Sequence, residues 1–175
     1  DGGMMIDLSA MKGIYVDPVN RLAQVQGGVT WGELNRETQL FALATTGGLI
    51  SSTGVAGLTL GGGFGFLSAK HGMSIDNLRC AQVVTATGDI LTASEEHNAD
   101  LFWALRGGGG NFGVVTSFTF ALHPVGPDLT GGVTVYPSED RARALRFFRD
   151  ATQSLPEELA LVASLGHAAD GSAST

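Results

Sequence analysis

The residues of this chain whose types could do chemistry are four histidines, one cysteine, an adjacent serine pair and an Asp-Asn pair. His71, His97, His123 and His167 are scattered, with no pair at metal-ligand spacing, so each reads as a surface or turn residue and no metal centre is expected. Cys80 stands alone, which excludes an internal disulfide and a thiolate metal site; beside an apolar run it reads as a small hydrophobe. Ser51 and Ser52 lack the G-x-S-x-G elbow that lifts a nucleophile above a sheet. Asp76 and Asn77 suit either the pinning of a loop or the polar edge of a ligand, and their spacing favours the structural use. Gly108-Gly109-Gly110-Asn111-Phe112-Gly113 matches G-x-G-x-x-G, but it follows a helical pattern and precedes an alternating one. The dinucleotide fingerprint works only between a strand and a helix, whose N-terminus receives the pyrophosphate, so that reading is rejected. No glycine run continues into Lys-Ser or Lys-Thr, so there is no P-loop.

What remains is the stretch Ala44–Leu78, with nine glycines and almost no charge before Lys70. Glycine loses the most backbone entropy on ordering, so such a run needs a reason. One reading is a loop-and-turn wall laid against a planar cofactor; the other is tight-turned β-structure with packed glycines.

The elements around this stretch follow from local pattern. Met4–Leu8 is expected as a short strand, and Tyr15–Asp17 with Leu22–Gln26 as a hairpin about Asp17-Pro18-Val19-Asn20. Thr30, three residues before Glu33, has the spacing of a capping box and opens a helix Trp31–Gln39 with Trp31, Leu34 and Thr38 inward. Ala81–Thr87 is a strand, turning at Thr87-Gly88-Asp89 into Ile90–Ala93. A helix Asn98–Leu105 is led by Asn98 as cap. In the strand Val114–Leu122, Val115, Ser117 and Thr119 alternate against Val114, Thr116, Phe118 and Phe120. After the break His123–Pro127, a strand Gly132–Tyr136, a helix from a Ser138 cap to about Gln153 and a strand Leu159–Leu165 are expected. Leu145, Phe148 and Ala151 or Thr152 would form that helix's apolar face.

The 175 residues, 43% hydrophobic, suffice for one domain and a fragment of another, divided here into 1–127 and 128–175. A net charge of −7 argues against nucleic acid as a partner. No apolar run reaches membrane-spanning length. The opening DGGMMIDLS and the ending GHAADGSAST read as those of an internal piece of a longer protein.

Five segments in order carry a resemblance: Gly27–Asn35, Thr53–Leu78, Val83–Ile90, Leu101–Leu122 and His123–Pro127. Together they resemble the FAD-binding domain (PCMH type) of the vanillyl-alcohol-oxidase superfamily, within it the berberine-bridge-enzyme-like oxidases and their bacterial members. The resemblance covers nearly all of Gly2–Pro127. It implies an α+β fold: a two-part FAD-binding domain lacking its N-terminal pyrophosphate loop, then the start of an α/β substrate domain with an antiparallel sheet. It places the flavin along Thr46–Gly65, with Thr53, Gly54, Gly57, Leu58, Gly61 and Gly63 as contacts and Asn77 holding the loop beside them. Gly113 and Val115 would meet the adenine end through backbone groups, and Gly48 is the oxygen-access position. Where some members tether the flavin through cysteine, this chain has Ile50, which has no nucleophile. A histidyl link would come from a loop upstream of Asp1.

The resemblance implies an FAD-dependent oxidoreductase that takes a hydride from a small organic substrate, with oxygen as acceptor. The alternatives are a dehydrogenase with another acceptor and a non-catalytic flavin-binding module. The family's general bases come mostly from the second domain, so no catalytic residue is assigned. Residues 1–175 alone are expected to be inactive and to bind FAD poorly.

Overall fold

A computed structural model describes residues 2–167 and 173–174 of the chain. The chain divides into two compact units, Asp1–Pro127 and Asp128–Thr175. The first holds a five-stranded antiparallel sheet whose order follows from its hairpins. Strands β1 (Ile14–Asp17) and β2 (Leu22–Gln26) form one hairpin. The Asp17 carboxylate accepts from the Val19 and Asn20 N–H groups and fixes its turn. Strands β4 (Leu78–Val84) and β5 (Ile90–Ser94) form another. Strand β6 (Val114–Ala121) lies between β2 and β4, giving the order β1-β2-β6-β4-β5. A two-residue pairing of β3 (Leu43–Ala44) with β7 (His123–Pro124) brackets the glycine stretch at its start.

Helices α1 (Trp31–Gln39), α2 (Val55–Leu60) and α4 (Ala99–Leu105) cover the sheet, with a short α3 (Ser68–His71) after the glycines. Helix α1 begins as its capping box dictates: the Glu33 carboxylate accepts from the Thr30 N–H at 2.8 Å and from its hydroxyl at 2.9 Å. Trp31, Leu34 and Thr38 are buried. Trp31 meets Phe120 at 5.9 Å between ring centroids, and Phe120 stacks on Phe118 at 5.9 Å. Each such side chain contributes on the order of 2 kcal/mol by leaving water.

The strand faces depart from simple alternation. Leu78 pairs with Phe120, Ala81 with Phe118 and Val83 with Val115, and all six are buried. Arg79 on β4 and Thr116 on β6 are the extra residues at two register shifts, and each resets the phase of its strand. Val115 therefore shares a face with Phe118 and Phe120, contrary to the expected alternation.

Other expectations also give way. Met4–Leu8 is not a strand; no strand among the described residues pairs with it, and Met4, Met5 and Ile6 are exposed. Asn98 precedes α4 but is left-handed (φ 49°), and its side chain donates to Thr92 O rather than capping. In the second unit Gly132–Tyr136 and Leu159–Leu165 form no strands, and Val133, Val135 and Val162 are exposed, since β-propensity without a ladder partner does not make a sheet. Ser138 does not cap: it starts a single 3-10 turn Ser138–Asp140 that leads into α5 (Arg141–Ala151). Ala144 is the buried residue of α5, whereas Leu145 is 36% exposed. Strands β8 (Gly166–His167) and β9 (Ala173–Ser174) pair with each other.

Candidate functional site

The glycine stretch lies against the start of α1. Trp31 N–H donates to Thr53 O, Gly32 N–H to Ser51 O and Val55 N–H to Val29 O, so residues 51–55 run alongside residues 29–32. Gly54 bridges Thr30 and then caps α2. The chain continues through Gly61, exposed at the end of α2, into Gly62 and Gly63 with φ of 111° and 72°.

The glycines separate into two kinds. Gly47 lies on the Trp31 ring, where a Cβ would overlap it, and Gly65 lies on the Gly47 backbone. A Cβ at Gly48 would fall 2.6 Å from Leu58 Cδ1, and one at Gly63 would fall 2.5 Å from both Leu58 Cδ2 and Ser74 Oγ. These glycines are accounted for by packing within the chain, and Gly48, Leu58 and Gly63 are brought together around one side chain. Gly54 and Gly57 differ: a Cβ at either meets nothing within 4 Å, and neither has a positive φ. Gly57 sits inside a helix, where glycine costs about 0.5–1 kcal/mol relative to alanine. Nothing among the described residues requires glycine at these two positions, which leaves their backbone bare to approach from outside. Leu49, Ile50, Phe64, Phe66 and Met73 of the same stretch are exposed, apolar surface of the kind a flat aromatic ring system can cover. The residues present therefore fit the flavin that the resemblance implies.

The wall is stitched from behind by the loop that follows it. Ser74 Oγ donates to Thr46 O at 2.8 Å, Ser74 N–H to Gly63 O at 2.7 Å and Ile75 N–H to Gly62 O at 3.1 Å. Asn77, 3% exposed, donates from Nδ2 to His71 O at 2.9 Å and Met73 O at 2.8 Å, while its Oδ1 lies 2.6 Å from His123 Nε2. Asp76 accepts from Met73 N–H, and Arg106 donates through Nε to Ile75 O while its guanidinium lies over Phe102. Asn77 thus closes the loop, the structural use its spacing favoured.

His71 and His123 stack with centroids 3.9 Å apart and planes 10° from parallel. Burial, then the neighbouring His71, Arg79 and Arg21, hold the His123 pKa below the ordinary imidazole value. Burial pushes the Cys80 thiol up, away from the reactive thiolate, in agreement with its reading as a hydrophobe. Gly113 (φ 140°) immediately precedes β6, where a Cβ would strike Val84 O at 2.5 Å. Val115 is buried and paired with Val83 in the sheet. Both stand apart from the glycine wall along the chain, although α2 packs against the 3-10 turn Gly109–Phe112 just before Gly113. Trp31, Ser74 and His123 belong to the site without having been singled out for it; the capping box at Thr30 was the local signal for Trp31, and no local signal marks the others.

Known proteins resemble this chain in sequence and in fold. A family model described as an FAD binding domain matches residues 1–94. The chain is 40% identical over 167 residues to an FAD-linked oxidoreductase of Dictyostelium discoideum, covering 94% of this chain and 37% of that protein. It is 38% identical over 161 residues to (R)-6-hydroxynicotine oxidase of Paenarthrobacter nicotinovorans, covering 91% of this chain and 35% of that protein. The crystal structure of 6-hydroxy-D-nicotine oxidase from Arthrobacter nicotinovorans superposes with a TM-score of 0.89 at 33% identity, covering 99% of this chain and 39% of that one. The chain therefore spans little more than a third of the length of the curated relatives it matches.

Proposed function

This chain belongs to the FAD-binding-domain family of FAD-linked oxidoreductases, and from that premise we propose that it builds the flavin-facing wall of an oxidase acting on a small organic substrate. Bound FAD supplies hydride acceptance from a substrate C–H bond, with molecular oxygen as the terminal acceptor. The chain's own part is to bind and orient. Gly54 and Gly57 leave the backbone bare where the cofactor approaches, and Thr53, Leu58, Gly61 and Gly63 frame that surface. Asn77 holds the supporting loop, and Gly113 and Val115 are assigned to the adenine end. On this reading 1–127 is the FAD-binding domain and 128–175 begins the substrate domain.

The observation that carries the reading is the pair of open glycines, Gly54 and Gly57, in a wall where Gly47, Gly48, Gly63 and Gly65 are filled from within. The test is the purified full-length protein: it should be yellow, bleach with its substrate in the absence of air and recolour when air is admitted. A colourless protein that takes up no FAD overturns the reading.

A second reading, a dehydrogenase using another acceptor, is favoured by one contact. The space that the small residue at Gly48 would offer to oxygen is filled by Leu58 Cδ1. Slow reoxidation of photoreduced flavin in air would select it.

A further inference from the structure

His123 and Asn77 stand 46 residues apart in sequence, yet they form one hydrogen-bonded unit behind the glycine wall. The roles of the Asn77 amide are fixed by its other partners. Its Nδ2 faces two carbonyls, His71 O and Met73 O, which can only accept. The oxygen must therefore face His123, and His123 must carry its proton on Nε2. In this tautomer the ring is neutral, with a bare Nδ1.

A second proton, on Nδ1, would bring positive charge into a hostile place. His71 is stacked on the ring, and Arg79 of β4 and Arg21 of the β1–β2 turn add positive charge nearby. On the loop itself Asp76 turns to the Met73 N–H and Arg106, and Lys70 is exposed near the end of α3. The β3 residues paired with His123 and Pro124 are apolar, Ala44 and Leu43. The charges acting on the ring among the described residues are His71, Arg79 and Arg21.

We infer that His123 is a positioning residue for the flavin wall: its neutral ring, acting through Asn77, holds the loop His71–Asn77 so that Ser74 and Ile75 grip Thr46, Gly63 and Gly62. This inference rests on the flavin reading above for its functional consequence. Charging of His123 adds its proton on Nδ1 and leaves the Nε2–H in place; repulsion from His71, Arg79 and Arg21 then drives the ring, and with it that donor, away from the Asn77 oxygen. Asn77 then releases His71 O and Met73 O, and the stitches from Ser74 and Ile75 lose their backing. The effect has a fixed sign. His123 is harder to protonate in the fold than in the open chain, so the wall is held above pH 6.5 and slackens as pH falls below it.

The test is a pH titration of the FAD-loaded holoenzyme, from about pH 8 to about pH 5, reading flavin emission and melting temperature. Wild type should gain emission several-fold on acidification. His123→Gln keeps an N–H for Asn77 and cannot titrate, so it should lose most of that rise while keeping low emission at pH 8. His123→Phe keeps the stack without the donor and should emit strongly at every pH. An acid response in His123→Gln equal to wild type, or His123→Phe emission as low as wild type at pH 8, overturns the inference. A holoenzyme preparation without flavin sinks the flavin reading instead. The acid dependence of melting in the same variants then decides the positioning role: flattened in His123→Gln it supports it, and unchanged it overturns it.

Discussion

The Cβ that Gly47 lacks would fall on the six-membered ring of Trp31. The indole is fully buried at the first residue of α1, so the chain entering the glycine wall is seated directly on the first helix of the fold. Gly47→Ala must move either the ring or the backbone. Overpacking of this kind costs about 1–3 kcal/mol, so the melting temperature should fall clearly; an unchanged one would show that the ring can yield.

Gly57→Ala should behave in the opposite way. A methyl group there meets nothing in the chain, and alanine is the better helix former by about 0.5–1 kcal/mol. The apoprotein should melt higher, while FAD binding should weaken about tenfold or more, equivalent to about 1.4 kcal/mol, because the methyl occupies the face left bare for the cofactor. Calorimetry of the apoprotein and flavin titration together check it. A stabilised variant with unaltered FAD affinity would remove Gly57 from the cofactor surface.

Glu33 gives a pH prediction. Lys12 at 2.7 Å, then the Thr30 N–H and hydroxyl, hold its pKa at about 2, below the ordinary 4.5. A lowered carboxylate pKa stabilises the fold above the unfolded value, and that stabilisation is lost as pH falls through the folded one. Melting temperature should drop between pH 4.5 and about 2, and Glu33→Gln should flatten that part of the curve while starting lower. An identical slope in the variant would assign the acid sensitivity elsewhere.

Ala42 sits at φ 53°, in the left-handed region that non-glycine residues enter at a cost, and its carbonyl accepts from Val125 N–H. Ala42→Gly removes that strain but adds unfolded-chain entropy, leaving a net gain of about 0.5 kcal/mol. Chemical denaturation should show a higher midpoint at the same slope; a lower midpoint would mean that alanine sits there without strain.

The sequence by itself determined what depends on near neighbours. The capping box of Thr30 and Glu33 and the turn locked by Asp17 are local hydrogen-bonding events and stand where their residues placed them. The β4–β5 hairpin forms too, with β4 ending at Val84 rather than Thr87 and its turn closed by Gly88 N–H on Thr85 O. The family resemblance came from order and spacing, again linear properties of the chain. It also supplied FAD as the cofactor.

Only the tertiary structure decided what depends on residues far apart. Arg79 and Thr116 bulge because β4 and β6 must bring Leu78, Ala81 and Val83 opposite Phe120, Phe118 and Val115, and neither strand's own pattern contains that demand. Gly132–Tyr136 has a strand's composition without a ladder partner, so composition alone made no strand. His71 and His123 read as isolated histidines because nothing local announces a stack. The glycine stretch divides on the same ground. A glycine filled by Trp31 or Leu58 and one facing open space are the same letter in the chain, and only the position of the neighbouring atoms separates Gly47 and Gly48 from Gly54 and Gly57.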